Sequence, residues 1–304
     1  MKISLVVLAA GLGTRFQGDK VLADVGPDGE ALLDYSLYDA FRCGATNAVL
    51  VIRQAQAATV RQHLDRIVGD RLPITLVFQD ATPLPAGRVK PWGTGHATLV
   101  AGATVGGGCV VINGDDFYGR RAIAAAVQHL QATADRMPRE HALIGFRLDQ
   151  TAMSAVGGVS RAVLTVDEDG GFRDVTEIRD IVRGADGFRG RAEDGAERVL
   201  SGSELVSMNL WALHRDIFPG LEQAFRRFLA DSPAADSEFL LAPGVREAVS
   251  LTSGRVRIIE GEGGGIGITW PQDGPAATIA LQELAADGEY PTPLRQGFRA
   301  LVRP

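Results

Sequence analysis

Lysine is almost missing from this sequence. Of 31 basic residues among 304, only Lys2, Lys20 and Lys90 are lysines. In a chain that otherwise uses arginine, an isolated lysine points to a task that suits a compact, mobile charge better than a planar fork. Cysteine is scarce too. Cys43 and Cys109 are the only two, both in apolar settings. That excludes a disulfide scaffold and a cysteine metal site, and fits buried thiols in a cytoplasmic protein. No apolar run reaches the ~20 residues of a membrane-spanning helix. The N-terminus shows no basic segment followed by a small-residue cleavage site, so no secretory leader and no membrane partner are expected. The formal net charge is −6 with a pI near 5.4. Without a basic stripe, a nucleic-acid partner is not expected either. A small anionic substrate remains allowed, because a few local cations can bind it.

What is present is a chain 45% hydrophobic, long enough to bury a large core as one domain or two intimate halves. In the first half, apolar strand candidates (Ile3–Leu8, Ala48–Ile52, Ile74–Phe78, Cys109–Ile112) alternate with helix candidates (Leu33–Cys43, Ala55–Val68, His96–Ala103, Arg121–Ala134). Such alternation predicts a mostly parallel sheet with helices on both faces, a Rossmann-like α/β fold. Its ligand belongs beyond the carboxyl ends of the strands. After about residue 140 the pattern turns richer in strands, at Leu143–Leu148, Arg161–Val166, Arg173–Ile178 and Val206–Leu213. The polar, glycine-rich stretch Arg183–Arg198 reads as a mobile loop. Helices return at Ile217–Leu229, Glu238–Val249 and Ala276–Asp287.

Three motifs carry chemistry. The first strand runs into Leu8-Ala9-Ala10-Gly11-Leu12-Gly13-Thr14-Arg15-Phe16-Gln17-Gly18-Asp19-Lys20. Gly11 and Gly13 let backbone N–H groups approach phosphate oxygens. Arg15 offers a fork of donors and Lys20 a point charge. A dinucleotide fingerprint would place a third glycine where Thr14-Arg15-Phe16 stands, so the loop suits a triphosphate. The second motif, Lys90-Pro91-Trp92-Gly93-Thr94-Gly95-His96-Ala97, is a tight turn opening a helix, with N–H groups expected to face a ligand. His96 reads as a helix-start or structural residue there. The third, Asn113-Gly114-Asp115-Asp116 after a buried strand, ends in paired carboxylates. Magnesium takes one or two carboxylates beside substrate phosphates. Asp116 points away from Asp115 in an extended chain, as a supporting group or a helix cap.

These motifs resemble the sugar-1-phosphate nucleotidyltransferases, also called nucleoside-diphosphate-sugar pyrophosphorylases. The resemblance implies residues 1–140 as a nucleotide-binding half and 141–304 as a β-rich half holding the sugar phosphate. It implies Arg15, Lys20 and Asp115 as catalytic residues. Ala9, Ala10, Gly11, Gly13, Thr14, Gly93 and Thr94 would bind the nucleotide. Gly-Thr-Gly-His-Ala is close to the base-binding segment of the N-acetylglucosamine-1-phosphate uridylyltransferases, where an upstream glutamine also reads the base. Gln79 matches that position, which favours UTP or dTTP. Val156–Arg161, Val175–Arg179 and Ser207–Trp211 resemble acceptor-binding segments, and imply Gly158, Glu177 and Asn209 as sugar contacts. A late turn carries Asp273, matching the aspartate that joins Asp115 on Mg2+; an N-cap is its alternative role. Gly18-Asp19-Lys20 lacks the usual proline and resembles the molybdenum-cofactor guanylyltransferases instead. The expected reaction couples an NTP to a sugar 1-phosphate and releases pyrophosphate. A phosphocholine- or molybdopterin-like acceptor, or a non-catalytic nucleotide-sugar-binding relative, stays open, as does assembly into a homo-oligomer.

Overall fold

A computed structural model describes residues 1–11, 20–70, 72–81, 84–85, 87–151, 157–184, 187–231, 233–234, 236–263, 265–267 and 271–301. The chain begins with β1 (Ile3–Leu8), α1 (Leu32–Arg42), β2 (Asn47–Ile52), α2 (Ala57–Ile67), β3 (Ile74–Phe78), α3 (Thr94–Ala101) and β4 (Gly108–Asn113). Then come β5 (Asp116–Phe117), α4 (Gly119–Ala132), β6 (Glu140–Arg147), β7 (Val159–Val166), β8 (Phe172–Gly184), β9 (Gly187–Ala192), β10 (Glu197–Leu200) and β11 (Leu205–His214). It closes with α5 (Ile217–Ala230), α6 (Leu241–Thr252), β12 (Arg255–Glu260), β13 (Ile266–Gly267), α7 (Gly274–Ala286) and α8 (Leu294–Leu301).

β1, β2 and β4 are almost wholly apolar because helices cover both of their faces. They sit in parallel register, in the order β3-β2-β1-β4. One face buries Leu5, Val7 and Ile112 under Leu33, Leu37, Ile123 and Val127 of α1 and α4. The other buries Val6, Val49, Val111 and Trp211 under Ala97, Leu221 and Val245 of α3, α5 and α6. The Rossmann-like sheet with helices on both faces is as expected. Among the described residues, no helix is long and apolar enough to cross a membrane. Cys43 and Cys109 are both free thiols.

β11 organises the rest. Antiparallel to β4, it pairs with it through Trp211–His214, then runs past the carboxyl end of β4 to pair with β7 at Val206 and Ser207. Its other edge carries β6, which in turn pairs in parallel with β12. The overhanging half of β11 therefore suspends the β7–β10 meander beyond the parallel strand ends. That meander has a small core of its own, built on Ile178, Ile181, Phe188 and Leu200. The sequence boundary near residue 140 is not a spatial one: α5 and α6 pack on α3, and α8 on α1. The β-rich extension is β7–β10 alone.

The expected loop Arg183–Arg198 is corrected: β8 continues to Gly184, and β9 and β10 form a hairpin on its edge. Phe188, Gly190 and Ala192 point inward while Gly187, Arg189 and Arg191 face outward. Only one inward side chain is large, so the period-2 signal of a half-buried strand is faint. β12 and α8 were also not foreseen; β12 has exposed arginines at Arg255 and Arg257.

The C-terminal segment docks on α1 through buried acids. Leu294 N–H donates to Glu30 Oε1 (3.1 Å), and Tyr290 Oη donates to Asp39 Oδ2 (2.6 Å). Asp39 is fully buried, and its Oδ1 lies 3.7 Å from Arg42 without a hydrogen bond. Burial, outweighing the Tyr290 hydrogen bond and Arg42, pushes its carboxyl up to about 7. A carboxyl raised in the folded state contributes stability below its unfolded value, near 4, and loses it as pH rises through about 7. Asp39→Asn keeps the acceptor for Tyr290 and removes the titration. Relative to the parent, it should gain about 2–4 kcal/mol in unfolding free energy between pH 4 and pH 8. Denaturant titrations of both proteins at the two pH values check this; a constant difference refutes it.

Candidate nucleotide and acceptor site

Two loops meet at the carboxyl ends of β1 and β4. The strands are neighbours, with Leu8 paired to Asn113, and Gly114 N–H donates to Leu8 O (2.9 Å). Beyond them opens a cavity of about 730 Å³ lined by Ala10, Gly11, Gln79, Gly93, Thr94 and Asp115, among others. A Cβ on Gly11 would meet nothing within 4 Å. Among the described residues, no neighbouring atom crowds that position. Ala9 is buried, with its N–H on Val51 O (2.8 Å), and shapes the turn from beneath. Gly13, Thr14 and Arg15 lie outside the described residues. Lys20 begins a short 3-10 turn, Lys20–Leu22, and Val21 of that turn packs beside Gly114. The end of the first loop thus stands next to the Asp115 loop.

The Gly93 turn is built differently from the expectation. Gly95 N–H donates to Phe239 O (2.9 Å) and Phe239 N–H to Trp92 O (2.7 Å), so the Gly95 amide serves the protein and not a ligand. Gly93 has φ 97°, and a Cβ there would sit 2.9 Å from Phe239 O. Its glycine is needed for this close approach. Leu241 N–H donates to Thr94 Oγ1 (3.0 Å). Arg88 stacks 3.7 Å over Trp92 and donates to Ser237 O (2.6 Å). Lys90 Nζ lies 3.2 Å from Glu238 on the cavity rim. The turn is thereby riveted to residues 237–241, a partner no local sequence pattern could name. Gln79 is buried, and its Nε2 donates to Gly93 O (2.9 Å). His96 is buried 4.9 Å from the Phe225 ring, and burial pulls its pKa down to about 4. It is a neutral packing group at neutral pH.

Asp115 and Asp116 face different spaces. Asp115 lines the first cavity. Asp116, in β5, lines a second cavity of about 650 Å³ with Arg161, Glu177, Ser207 and Asn209. Thr94 and Asn113 line both, so the cavities adjoin at those residues. Glu193 and Asp194 of the β9–β10 hairpin form the outer wall of the second. Glu177 is half-buried, and burial raises its pKa against the opposing pull of Arg179 and Arg161. Gly158 stands against the backbone of Asp180. Asn209 sits in a β-bulge of β11 with φ 64°. Its Nδ2 donates to Asn113 Oδ1 (2.8 Å), and Asn113 Nδ2 donates to Asp116 Oδ2 (2.9 Å).

Asp273 occupies the N-cap position of α7 but makes no capping hydrogen bond with its side chain. Its segment is tied to the site by the pairing of Gly267 with Asp116. Arg161 was missed from sequence, although it closes the Val156–Arg161 motif. Burial lowers its pKa, while Asp116, Glu177 and Asp273 raise it, so its charge is set among those three carboxylates. Among the described residues, no three His, Cys, Asp or Glu side chains converge on one metal position. A magnesium ion that shares its shell with phosphates needs only one or two carboxylates. Asp115 on the cavity wall is a carboxylate of that kind, while Asp273 is a charge neighbour of Arg161, in the second cavity.

The doubly wound sheet thus carries two adjoining cavities at the ends of its parallel strands. Residues 5–84 match the family described as the MobA-like NTP transferase domain. The chain is similar to the inositol-1-phosphate CTP transferase from T. maritima, with TM-score 0.58, 15% identity, and 92% of this chain and 96% of that chain covered. It is similar to a UDP-glucose pyrophosphorylase solved with UDP-glucose, with TM-score 0.61, 16% identity and coverage of 93% and 99%. HddC from Yersinia pseudotuberculosis shares the fold at TM-score 0.56, 16% identity and coverage of 91% and 99%. No curated protein matches the chain in sequence. The resemblance read from the motifs is borne out by the family match and at the level of fold.

Proposed function

We propose that this protein is a magnesium-dependent nucleotidyltransferase that couples an NTP to a sugar 1-phosphate. The observation that carries this reading is the pair of adjoining cavities, one walled by the glycine loop and Asp115, the other by Asp116, Arg161, Glu177 and Asn209. An acceptor in the second cavity attacks the α-phosphorus of a nucleotide in the first. A bond forms between the acceptor phosphate oxygen and Pα, the bond from Pα to the β-phosphate breaks, and its electron pair leaves with pyrophosphate. Arg15 holds the departing pyrophosphate, and Lys20 bridges the attacking phosphate and the α-phosphate. Asp115 and Asp273 would hold a magnesium ion, which would supply charge neutralisation at the phosphates. The remaining catalysis is positioning of two anions.

A nucleotide-by-acceptor panel read by pyrophosphate release tests the reading. Turnover with sugar 1-phosphates is the expected result; no turnover with any phosphate acceptor refutes it. In this reading Gln79 and the Gly93 turn favour UTP or dTTP over GTP and ATP. Gln79 supports this doubly: it borders the cavity and holds Gly93 O in place. Gln79→Ala should cut the pyrimidine preference about 5- to 100-fold, the cost of one unpaired buried polar edge, with a smaller fall in the best rate. Turnover with each nucleotide at subsaturating concentration measures it. A parent preference for GTP or ATP overturns the base assignment and leaves transfer standing.

A further inference from the structure

Four side chains at the seam between the cavities form a hydrogen-bonded chain with a fixed direction. The Trp211 indole Nε1–H donates to Asn209 Oδ1 (2.8 Å), Asn209 Nδ2 to Asn113 Oδ1 (2.8 Å), and Asn113 Nδ2 to Asp116 Oδ2 (2.9 Å). An indole can only donate, and an amide has one accepting and one donating end. The indole therefore forces the Asn209 carbonyl toward itself and its NH2 toward Asn113. The same logic passes along Asn113, whose NH2 must face Asp116. The chain ends on a carboxylate, which can only accept when ionised. Trp211 is fully buried, so the direction is set from the core outward.

The backbone is bent to make this possible. Asn209 has φ 64° at a bulge between Ser207 and Leu210. Bulges re-aim side chains beside functional sites, and asparagine is among the few non-glycine residues that adopt the left-handed region readily. Tyr118 fixes the same corner, donating to Met208 O (2.8 Å) and accepting Asn113 N–H (3.0 Å). All of this rigidity converges on Asp116, which lines the acceptor cavity while Asp115 lines the nucleotide cavity.

Resting on the transferase reading above, we infer that Asp116 grips a hydroxyl of the acceptor, and that Asn113 and Asn209 are positioning residues that aim it. A carboxylate has about four lone-pair positions, so it can hold Asn113 and a substrate hydroxyl together. The acceptor class this selects is a polyol phosphate, a sugar or cyclitol monophosphate, and not a hydroxyl-free phosphate ester.

The test uses the full chain with glucose 1-phosphate, myo-inositol 1-phosphate and phosphocholine. Asp116→Asn should raise the KM of a polyol phosphate at least tenfold, with NTP affinity by equilibrium dialysis within twofold of the parent. Asn209→Asp keeps the acceptor for Trp211 but cannot donate to Asn113. It should raise the same KM three- to tenfold, with the thermal midpoint within a few degrees. An unchanged acceptor KM in Asp116→Asn, or an equal loss of NTP affinity, overturns the inference. So does a parent that turns over phosphocholine and neither polyol phosphate. If the parent releases no pyrophosphate at all, the transferase reading falls. Calorimetric binding of the polyol phosphates to parent and Asp116→Asn then decides the inference separately, with equal affinities or no binding counting against it.

Discussion

Asp115→Ala should lose at least ~100-fold in turnover, the usual worth of one positioned electrostatic group. Asp115 follows Asn113, the last residue of β4, and Gly114 between them is pinned to Leu8 O. The carboxylate thus stands at a strand end, half-buried on the wall of the first cavity. Removing it takes away the group proposed to hold magnesium at the α-phosphate, and the thermal midpoint of the variant controls for folding. Pyrophosphate release under saturating substrates is the measurement. Excess chelator should silence the parent to a similar degree. Full activity of the variant, or of the parent in chelator, would sink the metal role.

Lys20→Arg should fold as the parent does and lose turnover by roughly 100-fold, since a bulky planar fork cannot take the place of a point charge between two phosphates. Lysine is used three times in a chain with 31 basic residues. The next residue, Val21, packs beside Gly114, so the Lys20 backbone is anchored at the Asp115 loop. Circular dichroism and the thermal midpoint control for folding. Parent-like turnover would make Lys20 an ordinary surface cation and would remove the first loop from the proposed mechanism.

Much of the fold was legible because its signals are local. β1 and β3 fall on the residues the apolar runs mark, Ile3–Leu8 and Ile74–Phe78; β1 is covered on both faces and needs no alternation to be seen, and β3, at the sheet edge, is still apolar at four of its five positions. The loops at Gly11 and Asp115 were legible for the same reason. Each follows such a strand, and parallel pairing puts strand ends side by side. The hairpin at Gly187–Leu200 was not legible, because its inward positions are mostly small and its cover is supplied by Ile178 and Ile181 of β8.

By itself, then, the sequence determined the α/β layering, the crevice at the strand ends, and the residue types gathered there. Those follow from periodicity and from the chemistry of glycine, lysine and carboxylate. Tertiary structure alone decided what each motif faces. The Gly93 turn spends the Gly95 N–H on Phe239, more than a hundred residues away in sequence. Asp115 and Asp116 separate into two cavities because β5 pairs with β13, and Asn209 reaches Asn113 only through a bulge in β11. Such contacts join segments with no sequence relation to one another. They are fixed by which surfaces the whole sheet brings within hydrogen-bond reach, and no local pattern records that.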